Sequence, residues 1–152
     1  MTTTVPLSVP LYGASLPQAL SRFFRKYATF SGRASRAEYW WIALVNFVVL
    51  VVSGALALGL GAATGTPSPS GGVYLGGGAA VGGVLGGLWF VAVLIPSLAV
   101  TVRRLHDVNL SGWLILLNLV PSVGSLIVFI LTLLPPSPLG ARFDADAAPP
   151  AA

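Results

Sequence analysis

Two short polar segments hold most of the residues with chemical potential in this sequence. The first covers residues 32–40 and reads Gly-Arg-Ala-Ser-Arg-Ala-Glu-Tyr-Trp, and the second covers residues 103–113 and reads Arg-Arg-Leu-His-Asp-Val-Asn-Leu-Ser-Gly-Trp. We call their ionisable members the polar cluster: Arg33, Arg36, Glu38, Arg103, Arg104, His106 and Asp107. A carboxylate at a membrane boundary needs a cationic partner, so we expect Glu38 to pair with Arg103 or Arg104.

The second segment offers little for catalysis or metal binding. His106 is the only histidine and the chain has no cysteine, whereas a zinc site needs three or four ligands. A catalytic arrangement of His106, Asp107 and Ser111 is conceivable, but nothing in the spacing requires it. A pH-sensing role for His106 stays open because its ordinary pKa lies near neutrality. The sequence therefore predicts no metal, no cofactor and a non-enzymatic protein.

Composition indicates that these residues sit at a membrane. The 152-residue chain is 55% hydrophobic and 8% charged, whereas soluble domains are about 25% charged. The net charge of +4 comes from cations beside apolar segments, a pattern that suits anionic headgroups. Groove-reading motifs are absent, so we expect no nucleic-acid partner.

Three apolar segments are expected to position the polar cluster. Residues 39–60, 79–102 and 113–134 carry no charge, and each is long enough as a helix to cross a hydrocarbon core of about 30 Å. Tyr39, Trp40 and Trp41 begin the first segment, where an aromatic belt belongs. Pro121 and Gly124 interrupt the third segment. A single kinked span is favoured there over a re-entrant hairpin of two half-helices, because irregular backbone in lipid must be covered by protein.

A short amphipathic helix is predicted before the first span. Ser15 and Gln18 form a capping-box pattern that begins a helix over residues 15–30. Its Leu and aromatic residues fall on one side and its cations on the other, which is typical of a helix lying in the membrane interface. Together with the three spans it forms the predicted membrane domain, residues 15–134. Residues 1–14 are predicted to be a flexible tail and residues 135–152 a disordered one.

Other residues are expected to guide helix ends and helix packing. Ser35 and Glu38 form a second capping-box pattern directly before the first span. Small residues four apart let helix backbones approach closely in lipid, and polar amides there usually bond to another helix. The candidate helix-packing residues are Gly78, Gly82, Gly86, Asn46 and Asn118.

The distribution of Lys and Arg predicts the orientation. Five lie before the first span, none in the first loop, two in the second loop and one after the last span. Cytoplasmic flanks collect these residues. We therefore expect a multi-pass protein of the inner membrane with a cytoplasmic N-terminus and, if the third segment is a single span, an external C-terminus.

The two polar segments also carry a family resemblance. Residues 30–40 and 103–113 resemble the two motifs of the bacterial inner-membrane family called domain of unknown function 805, and Pro121 and Gly124 match its Pro-x-x-Gly. The resemblance covers roughly residues 20–144 and implies an all-α protein with several spans and no assigned activity. The family usually ends in Gly-x-Asn-Arg-aromatic-Gly, and this chain keeps Gly140, Arg142 and Phe143 but lacks the Asn and the final Gly.

Two functions follow as hypotheses. The first is a non-enzymatic protein that binds a membrane partner or a second copy of itself through its helix faces or its basic surface. The second is a component of a small oligomeric transporter or channel, with Asn46 and Asn118 lining the route, since three spans are too few to enclose a pathway alone.

Overall fold

The computed structural model describes residues 5–144, which are mostly helical. The α-helices are α1 (Leu16–Arg25), α2 (Arg36–Ala63), α3 (Ala79–Asp107) and α4 (Val123–Leu133). Two 3₁₀ helices, Gly112–Leu119 and Pro138–Phe143, flank α4, and strands β1 (Thr66–Pro67) and β2 (Val73–Tyr74) pair antiparallel between α2 and α3. This small hairpin is the exception to the all-α expectation. It lies in the loop between the first two apolar segments.

The chain forms two compact units, one with residues up to 42 and from 95 onward, the other with residues 43–94. Every charged residue between positions 5 and 144 belongs to the first unit. The second unit has no charged residue. It contains the apolar parts of α2 and α3 next to the β1–β2 hairpin.

Two helices, α2 and α3, are long and apolar enough to cross a membrane, and little of either is buried within the protein. They contain the predicted spans 39–60 and 79–102. However, α3 continues to Asp107, so the prediction that the second polar segment is a connection was wrong for its first five residues. The helix ends there because Asn109 has φ of 64°, while the N–H groups of Asn109 and Leu110 donate to the carbonyls of His106 and Leu105. This is a Schellman cap with Asn in the left-handed position.

Within the second unit, the glycines spaced by four face α2. A β-carbon on Gly82 would collide with the backbone of Ser53 and Ala57, and one on Gly78 would collide with the carbonyl of Leu60. Gly86 lies against Ser53, where a β-carbon would be 3.2 Å from that side chain. The stripe predicted for helix packing thus lets the backbones of α3 and α2 come close together.

Helix α1 begins at the predicted cap, but the side of the helix that is buried differs from the expectation. The Ser15 N–H donates to Gln18 Oε1 at 2.9 Å, which completes the predicted capping box. The cationic face does not point away from the protein as an interfacial helix would require: Arg22 and Lys26 are buried, whereas Phe24 is exposed. The reason is electrostatic, since Arg22 faces inward to meet a buried carboxylate.

The third apolar segment, residues 113–134, is interrupted where Pro121 and Gly124 lie. A 3₁₀ helix runs to Leu119, the chain turns at residues 120–122, and α4 begins at Val123. Ser122 has φ of 64°. A β-carbon on Gly124 would collide with the carbonyl of Leu117. Glycine therefore permits a close approach between the two arms of a helical hairpin.

Both predicted tails contain ordered structure in their described parts. Ala14 is buried, and its carbonyl accepts a hydrogen bond of 2.9 Å from Trp41 Nε1. After α4, Pro135 and Pro136 stop the helix, and the second 3₁₀ helix follows with Gly140 buried. Positions 1–4 and 145–152 of the predicted tails lie outside the described residues.

Candidate functional site

Arginine–carboxylate ion pairs hold much of the charge of the first unit, and we call these pairs the buried network. The first of them joins α1 to α2. Arg22 Nε donates to Glu38 Oε1, and both side chains are almost fully buried. Glu38 also accepts from the Ser35 N–H at 2.8 Å while its own N–H donates to Ser35 Oγ at 3.1 Å, which confirms the second capping box. The expected partner for Glu38, Arg103 or Arg104, was therefore wrong. The sequence gives no signal that α1 brings Arg22 to this carboxylate.

The second ion pair lies within the last turn of α3. Arg104 and Asp107 are three residues apart, and Arg104 Nη1 donates to Asp107 Oδ2 with both side chains inaccessible. The Tyr12 hydroxyl donates to Asp107 Oδ1 at 2.9 Å. Tyr12 belongs to the predicted flexible tail, and no sequence motif marks it as a member of this site.

A third pair connects the first motif to the end of the described chain. Arg33 donates two hydrogen bonds to Asp144, from Nε at 2.9 Å and Nη2 at 2.6 Å. These bonds raise the pKa of Arg33 above its ordinary value. Its Nη1 lies 4.0 Å from Asp107 Oδ1, so Arg33 spans two carboxylates.

Two arginines bind the C-terminal end of α4, one from each motif. Arg104 donates to the carbonyls of Thr132, at 3.1 Å, and Leu134. Arg36 donates to the carbonyls of Leu133 and, at 3.1 Å, Leu134. The last carbonyls of a helix have no partner inside it and carry partial negative charge, so cations stabilise them.

Backbone hydrogen bonds hold the two motifs together. The Ala34 N–H donates to the Arg103 carbonyl at 3.0 Å, and the His106 Nδ1 atom lies 3.1 Å from the Gly32 carbonyl. The Gly32 N–H donates to Phe143 at 2.8 Å. Each motif therefore needs the other, and the C-terminal segment, to satisfy its polar backbone groups.

The residues retained from the family's terminal pattern also lie here. Phe143 stacks on His106 with ring centroids 4.1 Å apart, and the Arg142 guanidinium lies 4.6 Å from the centre of the Phe143 ring. Gly140 lies against the carbonyl of His106, where a β-carbon would not fit. The missing Asn and final Gly do not prevent this segment from packing on both motifs.

Arg103 is the least satisfied member of the polar cluster. It is 2% exposed, Nε donates to the Ala99 carbonyl at 3.2 Å, and Nη2 has no hydrogen-bond partner within residues 5–144. A cavity of about 10 Å³ lies beside it, also lined by Arg22 and Glu38. That volume is close to the minimum for one water molecule.

The seven members of the polar cluster are thus gathered in the first unit, and their contacts are those of a structural network. Glu38, Asp107 and Asp144, the carboxylates of the described chain, each pair with an arginine. Within residues 5–144 no group of three His, Cys, Asp or Glu side chains is placed to hold a metal ion. The Ser111 hydroxyl accepts from the Trp113 N–H at 3.4 Å, which suits a helix cap.

The two amides predicted for helix packing differ in their surroundings. In the second unit, Asn46 Oδ1 accepts a hydrogen bond of 3.1 Å from Trp89 Nε1. Asn118 lies in the first unit, on the first 3₁₀ helix, and is exposed.

The residues of this site fall within the region that is similar to known proteins. Residues 27–145, which include both motifs and the C-terminal segment, match the family described as Protein of unknown function (DUF805). The chain belongs to this family. It is 34% identical over 125 residues to the Escherichia coli K12 inner membrane protein YhaH, which covers 82% of this chain and 92% of YhaH. It is also 34% identical over 106 residues to the inner membrane protein YhaI of the same strain, which covers 70% of this chain and 75% of YhaI.

No solved structure matches this DUF805 protein. The helical fold, the two helices able to cross a membrane and the relatives named inner membrane proteins agree with the expected architecture of the family.

Proposed function

We propose that this DUF805 protein is a non-enzymatic scaffold of the bacterial inner membrane that binds a second membrane helix through an open face of α3. The observation that carries the proposal is the pair Gly83 and Gly87. A β-carbon on either would meet nothing within 4 Å, and both residues are exposed. They are spaced by four on a helix long enough to span the bilayer, the pattern that allows close helix contact in lipid.

The buried network supports a scaffold rather than an enzyme. Its carboxylates are engaged by Arg22, Arg33 and Arg104, so the network's stabilising role accounts for the charged residues that the sequence singles out. Under this proposal the network fixes the first unit, while the uncharged α3 surface is left for the partner. A second copy of the chain is the simplest partner.

The proposal includes a topology. We place α2 and α3 across the membrane with the N-terminus in the cytoplasm, because the cations flank their charged ends and the loop between them has none. We place residues 108–136 as a re-entrant hairpin, which returns the C-terminus to the cytoplasm. This replaces the three-span arrangement favoured by sequence. With 11 residues, α4 is about 16 Å long, roughly half of the hydrocarbon core.

Hydrogen bonds within the turn of the re-entrant hairpin satisfy several of its backbone groups inside the hydrocarbon core. The N–H groups of Val120, Val123 and Gly124 donate to the carbonyls of Leu117, Pro121 and Val120 at 2.8, 2.7 and 3.1 Å. These bonds satisfy three N–H groups of the turn within the protein, which lowers the cost of irregular backbone at membrane depth. Exposed Trp113 and Leu119, each 79% exposed, would then contact acyl chains.

Self-association of the purified protein tests the function. In liposomes, energy transfer between donor- and acceptor-labelled copies should be strong and should fall markedly in Gly83→Leu/Gly87→Leu, since bulky side chains separate the helices. Gly59→Leu is the matched control, because Gly59 is also an open glycine, on α2. Energy transfer that is absent in the native protein, or unchanged in the double variant, would contradict the proposed contact.

A further inference from the structure

We propose that an open pocket beside α1 binds a phosphate group, either the headgroup of an anionic phospholipid or a free phosphate. The pocket has a volume of about 280 Å³ and is lined by Leu7, Ser8, Arg25, Lys26, Thr29, Ser31 and Gly32. It lies outside the ion-pair network, and the inference does not depend on the proposed helix contact.

The decisive side chain is Lys26. It is 5% exposed, and within residues 5–144 its ammonium group has no ion pair. A charged group on a mostly buried side chain with no carboxylate at ion-pair distance is costly. The neighbouring carboxylates offer little relief because Glu38 is held by Arg22 and Asp144 by Arg33.

The charge around Lys26 favours an anion. The pKa of Lys26 is lowered to about 8, first by burial and then by the nearby charges of Arg103 and Arg22, which outweigh the opposite effect of Glu38 and Asp144. The exposed Arg25 adds another cation to the same pocket. An anion placed there would supply the missing counter-charge.

The remaining lining groups match a phosphate rather than a halide or an apolar ligand. Three of the lining residues, Ser8, Thr29 and Ser31, carry hydroxyl groups. A phosphate presents several acceptor oxygens to such donors, and the lysine provides a compact point charge. Gly32, with φ of 80°, lets the chain turn at the pocket wall.

The first arm of the test uses inorganic phosphate and protein purified in a neutral detergent. Phosphate should raise the melting temperature of the native protein more than chloride does at equal ionic strength. In Lys26→Met, which keeps the apolar stem, the apparent phosphate affinity should fall about tenfold or more, because a charge-assisted bond is lost. Arg142→Met is the charge-matched control and should bind like the native protein.

The second arm uses nanodiscs of phosphatidylcholine with or without phosphatidylglycerol, and native mass spectrometry to count retained lipids. Loss of a retained phosphatidylglycerol in Lys26→Met, without a response to inorganic phosphate, identifies a lipid headgroup site. A response to inorganic phosphate without lipid retention identifies a free phosphate site. Thr29→Val, at an exposed position, provides a second variant if Lys26→Met does not fold. Neither response in the native protein, or equal responses in all variants, would overturn the inference.

Discussion

The Ser137 N–H donates a hydrogen bond of 2.8 Å to the carbonyl of Asp107. Residues 108–136 therefore leave the end of α3 and return to it. Arg104 strengthens the closure, because it binds Asp107 and also the Thr132 carbonyl. A single span cannot bring its two ends together in this way, so this contact is the main support for the re-entrant topology.

Cysteine accessibility tests that topology, since the native chain has no cysteine. Single substitutions at Ser70, Ser111 and Ala152 would be treated in intact cells with a membrane-impermeant thiol reagent. We expect Ser70→Cys to react, and Ser111→Cys and Ala152→Cys to react only after lysis. Leu119→Cys, at the turn of the hairpin, should react slowly from either side because it would face acyl chains.

The competing three-span arrangement gives a different pattern. In that case Ala152→Cys would react in intact cells along with Ser70→Cys, and the C-terminus would be external. Labelling of Ser111→Cys in intact cells would instead reverse the orientation of α3.

Gly124 should be required for the hairpin to close. A β-carbon there would collide with the Leu117 carbonyl, and overpacking of this kind typically costs about 1–3 kcal/mol. Gly124→Leu should therefore lower the melting temperature in detergent by several degrees. Gly59→Leu is the control, because that glycine is open and lies outside the proposed helix contact. An equal loss in both variants would argue against a specific clash.

The Arg22–Glu38 pair should be costly to break from one side. Both side chains are buried, and removing one partner of such a pair typically costs about 3–5 kcal/mol. We expect a large loss of stability in Arg22→Met and partial recovery in Arg22→Met/Glu38→Gln, where the glutamine preserves the capping oxygen. Arg25→Met, an exposed cation on the same helix, should be within about 0.5 kcal/mol of the native protein.

Unfolding in mixed micelles of increasing dodecyl sulfate content would measure the cycle. Additive losses in the double variant would mean that Arg22 and Glu38 stabilise the protein independently, and the buried ion pair would not be the reason for their burial.

Local patterns in the sequence predicted local structure well. Ser15 with Gln18 and Ser35 with Glu38 form the predicted capping boxes, since a cap depends on residues three apart. The hydrophobic lengths of α2 and α3 are equally local. The sequence also identified the two motifs that lie within the family match, because charged residues are rare in this chain and two clusters of them are easy to recognise.

Contacts between distant residues were harder to predict. Glu38 pairs with Arg22, because the packing of α1 decides which cation reaches it. Tyr12 carries no motif, yet it binds Asp107. The sequence favours a single kinked span over the hairpin, because irregular backbone in lipid must be covered by protein. The arginines that bind the end of α4 come from other parts of the chain, and periodicity within residues 113–134 cannot reveal them.

The stability of the protein should depend on pH through Lys26. Its pKa falls from 10.5 to about 8 on folding, through burial and then the charges of Arg103 and Arg22, opposed by Glu38 and Asp144. Between these values the unfolded chain binds a proton that the folded protein does not, so stability rises with pH in that range. The melting temperature of the native protein relative to Lys26→Met should therefore increase from about pH 7.5 to about pH 9.5, a range that brackets the folded-state pKa of Lys26.

Phosphate should reduce this increase, because a bound anion favours the protonated lysine. The affinity of the protein for phosphate should weaken above about pH 8, where Lys26 loses its proton. A difference between the two proteins that stays constant over this range would show that Lys26 keeps its proton in the folded state.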